Sequence, residues 1–141
     1  MDYKKFGNTL IVRLDPGEEI VAAIKEVCVK QNITLASVSA IGAIKEFSAG
    51  VYSLESQTYF QTDFAGEYEI LSLSGTVSTM DGNYYSHFHI SAADRNGVAV
   101  GGHLNSATVS ATCEVVVNVI EGRVDRSKNA QTGLNVFDFE K

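Results

Sequence analysis

From Thr34 to the end of the chain, apolar residues nowhere recur at helical spacing; short runs rich in Val, Ile, Thr, Phe and Tyr follow one another, broken by glycines. A chain patterned in this way must place most of its length in a sheet. The first four runs cover Val38 to Ile44, Phe47 to Leu54, Thr58 to Phe64 and Tyr68 to Val77. Then come Tyr84 to Ala93, Val98 to Leu104, a small polar connection from Asn105 to Ser110, and an apolar run from Cys113 to Ile120 suited to a central strand. After a loop-like stretch from Arg126 to Gly133, Leu134 to Phe139 reads as a last short strand.

One helix precedes all this. Leu10 to Leu14 reads as a first strand, and Asp15-Pro16-Gly17-Glu18 has the composition of a helix start, with Asp15 at the N-cap, Pro16 at N1 and Glu18 at N3. The helix is expected to run to about Lys30. Ile20, Val21, Ile24, Val27 and Cys28 form its apolar stripe, while Glu19, Lys25, Glu26 and Lys30 face water. The links between the later runs are too short for helical crossovers, which predicts an antiparallel arrangement. The expected fold is α+β: a single domain over residues 1–141, with a largely antiparallel, curled sheet of seven or more strands and one main helix packed on it.

All three histidines of the chain fall in one stretch, His87-Phe88-His89 to Gly101-Gly102-His103, around an Asp94-Arg95-Asn96-Gly97 turn signal. The stretch reads as a β-hairpin. On a strand His87 and His89 point the same way. With Arg95-Asn96-Gly97 as a three-residue loop and Gly97 left-handed, Asp94 pairs with Val98, and counting outward sets His89 opposite His103. A loop one residue longer or shorter would turn His103 to the other face. Three imidazoles on one face suit a divalent metal, zinc foremost, with a fourth position left for water, a carboxylate or a ligand. Neutral imidazole is the ligand, so protons compete below ~6.5.

Three carboxylates are candidates for a fourth donor or a supporting partner. Asp94 doubles as a turn former. Glu114 stands between Cys113 and Val115-Val116-Val117, where a charge on a buried strand needs a partner, whether a histidine N–H or Arg13 or Arg123. Glu69 is flanked by Tyr68 and Ile70.

Composition narrows the partners. The chain of 141 residues carries a net charge of −6, and its arginines, Arg13, Arg95, Arg123 and Arg126, are scattered with no basic run, which argues against sequence-independent DNA binding. No apolar run suits a signal peptide or membrane span, and Cys28 and Cys113, in apolar surroundings without Cys-x-x-Cys spacing, fit a reducing compartment. A cytoplasmic location is expected.

Four segments together resemble the PPC (plants and prokaryotes conserved) domain: Arg13 to Ile20, Glu69 to Gly75, His87 to Ser91 and Gly101 to Leu104. The resemblance spans nearly the whole chain. It implies a homotrimer and a metal held by residues matching His87, His89 and His103. Plant members carry an AT-hook before the domain, the origin of the family's DNA-binding description; no such hook occurs here, so direct DNA binding is not expected.

Three functions follow. The leading one is a small metal-binding, self-associating protein, in which further copies cover the apolar strand surface that a single 141-residue sheet would leave exposed. The second is a DNA-binding or transcription-associated regulator. The third is a metalloenzyme, either a hydrolase with a three-histidine site or a cupin-like protein, since Gly82, His87, His89, Asp94 and Gly97 echo the first cupin motif.

Overall fold

The computed structural model describes residues 1–141. Strands β1 (Asp2–Phe6) and β2 (Thr9–Leu14) form a hairpin; helix α1 (Ile20–Lys30) follows, then β3 (Ala36–Ser53), β4 (Thr58–Met80), β5 (Asn83–Asp94), β6 (Ala99–Val119), β7 (Asp125–Lys128) and β8 (Asn135–Asp138). The main sheet has six strands in the order β1-β2-β6-β3-β4-β5, and β5 also pairs with β6, so β6, β3, β4 and β5 close into a ring. All pairings are antiparallel.

The expected α+β, antiparallel, curled sheet with one packed helix is present, but the main sheet has six strands rather than seven or more. Two physical facts account for the difference. The four runs between Val38 and Val77 belong to two long strands, β3 and β4, whose register shifts between Ala40 and Gly42 and between Ile44 and Glu46 bend them without ending the pairing. The final two strands pair only with each other, as a separate ribbon. The stretch from Arg126 to Gly133, read as loop, thus begins inside β7.

Asn105 to Ser110 is likewise continuous strand rather than a connection. Small polar residues there alternate with buried Ala107 and Val109, which is the pattern of a strand with one wet face. β6 is therefore one continuous strand of 21 residues. One edge pairs with β3 along most of its length. The other edge takes β5 at Ala99–His103, the Gly17–Glu19 segment at Thr108 and Val109, and β2 at Cys113–Asn118.

The helix begins later than its composition suggests. Asp15-Pro16-Gly17-Glu18 is a turn, with Glu18 N–H donating to the Asp15 carbonyl at 3.2 Å and Gly17 at φ +90, a conformation that no helix start can use. Half of the expected capping box survives, because Glu18 Oε2 accepts from the Asp15 amide at 2.8 Å. The true cap is Glu19, placed among the water-facing residues above. Its carboxylate accepts from Val21 N–H at 3.0 Å and Ala22 N–H at 2.6 Å, and Oε1 also accepts from Ala107 N–H on β6 at 2.9 Å. One side chain thus starts α1 and ties it to the ring.

Ile20, Ala23, Ile24, Val27 and Cys28 form the buried stripe of α1, which packs on β6 and β5; Val21 is only half-buried. Full burial of side chains like Ile20, Ile24 and Val27 contributes about 1.5–3 kcal/mol each before entropy. The stripe joins one core cluster with residues such as Leu10, Ile44, Leu73, Phe88, Leu104 and Val115. Both cysteines are free and buried, and burial pushes each thiol up to about 11, so they behave as small apolar groups. No helix is long and apolar enough to cross a membrane.

Candidate metal centre

β5 buries Phe88 and Ile90, at 2% and 4% exposure, and alternation commits His87 and His89 to its outer face. β6 buries Leu104, which sends His103 outward in the same way. The turn then sets the register. Gly97 adopts φ +77, and Asp94 N–H donates to the Val98 carbonyl at 3.1 Å while its carbonyl accepts from Gly97 N–H at 2.9 Å. From that closed loop the ladder counts outward through Ala93↔Ala99 to His89↔His103. All three rings share one outer patch, as the turn chemistry predicts.

The Nε2 atoms of His87 and His89 stand 3.2 Å apart, and one ring nitrogen from each of the three histidines lies within 4.8 Å of the others. Ring centroids are separated by 5.0 to 5.7 Å. Nitrogens around a tetrahedral ion at ~2.0–2.1 Å lie about 3.4 Å from one another, so this donor set fits a zinc-sized ion with small side-chain rotations.

Close backbone approach holds the strands around the rings. A Cβ on Gly101 would fall on the carbonyl oxygen of Ile90, and one on Gly102 would meet the Gly50 carbonyl oxygen at 2.5 Å. The Gly101-Gly102 pair is therefore required by strand packing beside His103. Tyr59, which the sequence did not single out, donates its hydroxyl to the His103 carbonyl at 3.0 Å, and its ring stands edge-on to the imidazole at 5.8 Å. Asn105 Nδ2 donates in turn to the Tyr59 hydroxyl at 2.8 Å.

Electrostatics favour the neutral form of two of the three rings. Burial foremost, then the charges of His103, His89 and Arg126, pushes His87 down to about 4. Burial and then His89 lower His103. The threshold near ~6.5 expected of a free imidazole thus moves to lower pH for these two rings, which stay available as ligands.

Arg126 is the second residue the sequence passed over, having been assigned to a loop. It is only 4% exposed, and its guanidinium lies 4.7 Å from the Tyr85 ring and 4.2 Å from the Phe137 ring. Nε donates to Ser78 Oγ at 2.9 Å, one terminal nitrogen to the Asn135 carbonyl at 2.8 Å, and the other to Thr76 Oγ1 at 3.4 Å. Ser78 is paired with Tyr85 and Thr76 with His87 across β4 and β5. Arg126 therefore pins the β7–β8 ribbon onto the face that carries the histidines.

A sequence profile of the Plants and Prokaryotes Conserved (PCC) domain matches residues 1–121. The chain belongs to the PCC family. PCC and PPC abbreviate the same description. Among solved structures, a Bacteroides thetaiotaomicron protein with a provisional DNA-binding description is 35% identical, at TM-score 0.97 over 99% of this chain and 98% of its own. A metal-containing protein of Archaeoglobus fulgidus is also 35% identical, at TM-score 0.87 over 97% and 98%. A plant- and prokaryote-conserved protein of Pyrococcus horikoshii is 29% identical, at TM-score 0.85 over 99% and 96%. Comparison with curated proteins returns no match.

Within this PCC chain the structure brings His87, His89 and His103 together and leaves all three candidate carboxylates elsewhere. Asp94 is a turn former: Oδ1 accepts from Asn96 N–H at 2.8 Å and Val98 N–H at 2.9 Å, bonds that hold its carboxyl below the usual range. Its neighbours in the cupin echo, Gly82 and Gly97, are positive-φ turn residues, so that pattern follows from hairpin geometry. Glu69 is exposed on the rim of a shallow groove with Glu67 and Arg95. Glu114 is exposed on the outer face, opposite Arg13 in the β2–β6 ladder, rather than buried. The apolar neighbours that made Glu114 look buried point inward, and alternation carries its carboxylate out.

Proposed function

We propose that this PCC protein is a small metal-binding protein that holds one divalent ion, zinc foremost, on His87, His89 and His103, and works as a homotrimer in the cytoplasm. The observation that carries the metal assignment is the meeting of three imidazoles, with one ring nitrogen of each within 4.8 Å of the others, on one outer face. An ion with only three protein donors supplies Lewis acidity at an open position. The chain's contribution is to hold the rings in one orientation, through the Asp94 turn and the Tyr59 bond to the His103 backbone.

Self-association is supported by the tip of the β3–β4 hairpin, where Val51, Leu54 and Phe60 are 66%, 63% and 60% exposed. Val51 and Phe60 face one another across the ladder, so the tip presents a joined apolar surface. Light scattering should give about three times the chain mass of 15.2 kDa. DNA binding is disfavoured by the net charge of −6.

The deciding experiment is elemental analysis of protein purified without chelator or affinity metal and then offered zinc. One equivalent per chain is expected; failure to bind any divalent ion overturns the assignment.

A further inference from the structure

Arg126 is a buried cation with an unusual set of partners. Its nitrogens are met by two hydroxyls and one carbonyl, its faces by two rings, and no carboxylate lies within salt-bridge distance. Adjacent Asp125 is engaged elsewhere, with Arg123 at 3.3 Å. Burying a charge without a counter-charge is costly, and an apolar side chain would pin the ribbon onto Tyr85 without that cost. The charge therefore calls for a reason beyond the clamp.

Its position supplies one. Thr76, which accepts from Arg126, is the ladder partner of His87, and Tyr85, on which Arg126 stacks, shares the outer face of β5 with His87 and His89. The guanidinium thus bonds to the residue directly opposite His87 in the ladder and stacks on the ring two residues before it on the same face. No carboxylate belongs to the imidazole cluster, although the chain as a whole is acidic. With a divalent ion on the histidines, this face carries the ion's two charges and that of Arg126, with no carboxylate in the histidine cluster and none within salt-bridge distance of Arg126.

We infer that Arg126 makes the three-histidine centre selective for a small anionic oxygen ligand, a carboxylate foremost, at the open position of the metal. This rests on the metal assignment above. The charge acts through space, in a partly dry setting where water screens it less than at an open surface. Arg126 is a positioning residue for charge, with no need to touch the ligand. The same field opposes the metal itself, so removing the charge has opposite effects on cation and anion.

The test uses the full chain loaded with cobalt, whose visible absorption reports ligands at the metal, titrated with acetate and with its neutral isostere acetamide at fixed ionic strength. Two variants remove the field differently. Arg126→Gln deletes the charge, and Ser78→Asp places a counter-charge on the nitrogen that Ser78 accepts from, leaving the clamp in place. Both should weaken acetate by roughly tenfold, leave acetamide unchanged, and hold cobalt as tightly as the wild type or more so. If Arg126→Gln fails to fold, Ser78→Asp decides alone. Acetate affinity unchanged in the folded variants overturns the inference while the metal assignment stands, as does a parallel loss of acetate, acetamide and cobalt, which marks a purely structural clamp. A wild-type chain that takes up no cobalt overturns both.

Discussion

His89 stands directly opposite His103 in the β5–β6 ladder, and this pairing decides the face on which the three imidazoles meet. It is fixed five ladder steps away, by a turn in which one aspartate closes two amides, rather than by any attraction between the rings.

His87→Ala, His89→Ala and His103→Ala should each weaken zinc binding by more than the ~10–100-fold typical of losing a supporting hydrogen bond, because each removes a donor atom. Glu114→Gln should leave affinity and melting temperature unchanged, since its carboxylate is exposed and accepts no hydrogen bond from an imidazole. Isothermal titration on the four variants checks both statements. A Glu114→Gln protein with weakened zinc binding would show that the carboxylate reaches the site in another arrangement.

Acid should affect the metal-free fold before it affects the ligands. An unfolded histidine takes its proton near ~6.5, whereas His87 in the fold does so at about 4. Between those values the unfolded chain binds more protons, so stability falls as pH falls through that window and levels off below it. Melting curves of wild type and His87→Ala across the window should differ in slope, with the variant flatter. The same shift keeps His87 itself unprotonated and available as a ligand below ~6.5. Identical slopes for the two proteins contradict this account.

Gly101→Ala should destabilise the protein by about 1–3 kcal/mol, the range for forcing extra atoms into packed structure, because the new methyl group falls on the Ile90 carbonyl. The damage lies beside His103, so zinc affinity should drop with stability. Gly97→Ala, by contrast, meets open space and is strained only through its positive φ. Denaturant melts and zinc titrations on the pair distinguish backbone collision from turn strain.

Glu19→Ala should cost ~1–2 kcal/mol, as for loss of a strong helix cap. It deprives the amides of Val21, Ala22 and Ala107 of their acceptor. Glu26→Ala, on the exposed side of α1, should change stability by less than ~0.5 kcal/mol. Equal effects of the two would remove the capping role.

The histidine geometry was legible because hairpin register depends on local turn chemistry, and Asp94 to Val98 spells that chemistry out. The helix stripe was legible for the same reason: its period is internal to one segment. What sequence alone concealed was long-range. Whether Val38 to Ile44 and Phe47 to Leu54 are two strands or one bent strand depends on neighbours that tolerate the register shift. Arg126 looked like loop because its partners, Thr76, Ser78, Tyr85 and Phe137, come from three different strands. Nothing local marked it, since Asp125-Arg126-Ser127-Lys128 has weak strand propensity. Glu114 looks buried from its apolar neighbours, whereas alternation along β6 turns its side chain outward.

β6 has partners along both edges, drawn from nearly every part of the chain: β2 near the start, β3 in the middle, β5 just before it. Contacts so distant in sequence form late and slowly in folding. His87 and His89 are neighbours in any extended chain, yet Gly102 can seat beside Gly50, and Tyr59 can reach the His103 backbone, only once the ring has closed. The local β5–β6 hairpin can therefore bring the three imidazoles to one face early, but the backbone that holds His103 is seated only when the ring closes. Amide exchange at Gly101–Leu104 should then track global unfolding rather than local fraying, and loss of the ion would report the opening of the whole ring.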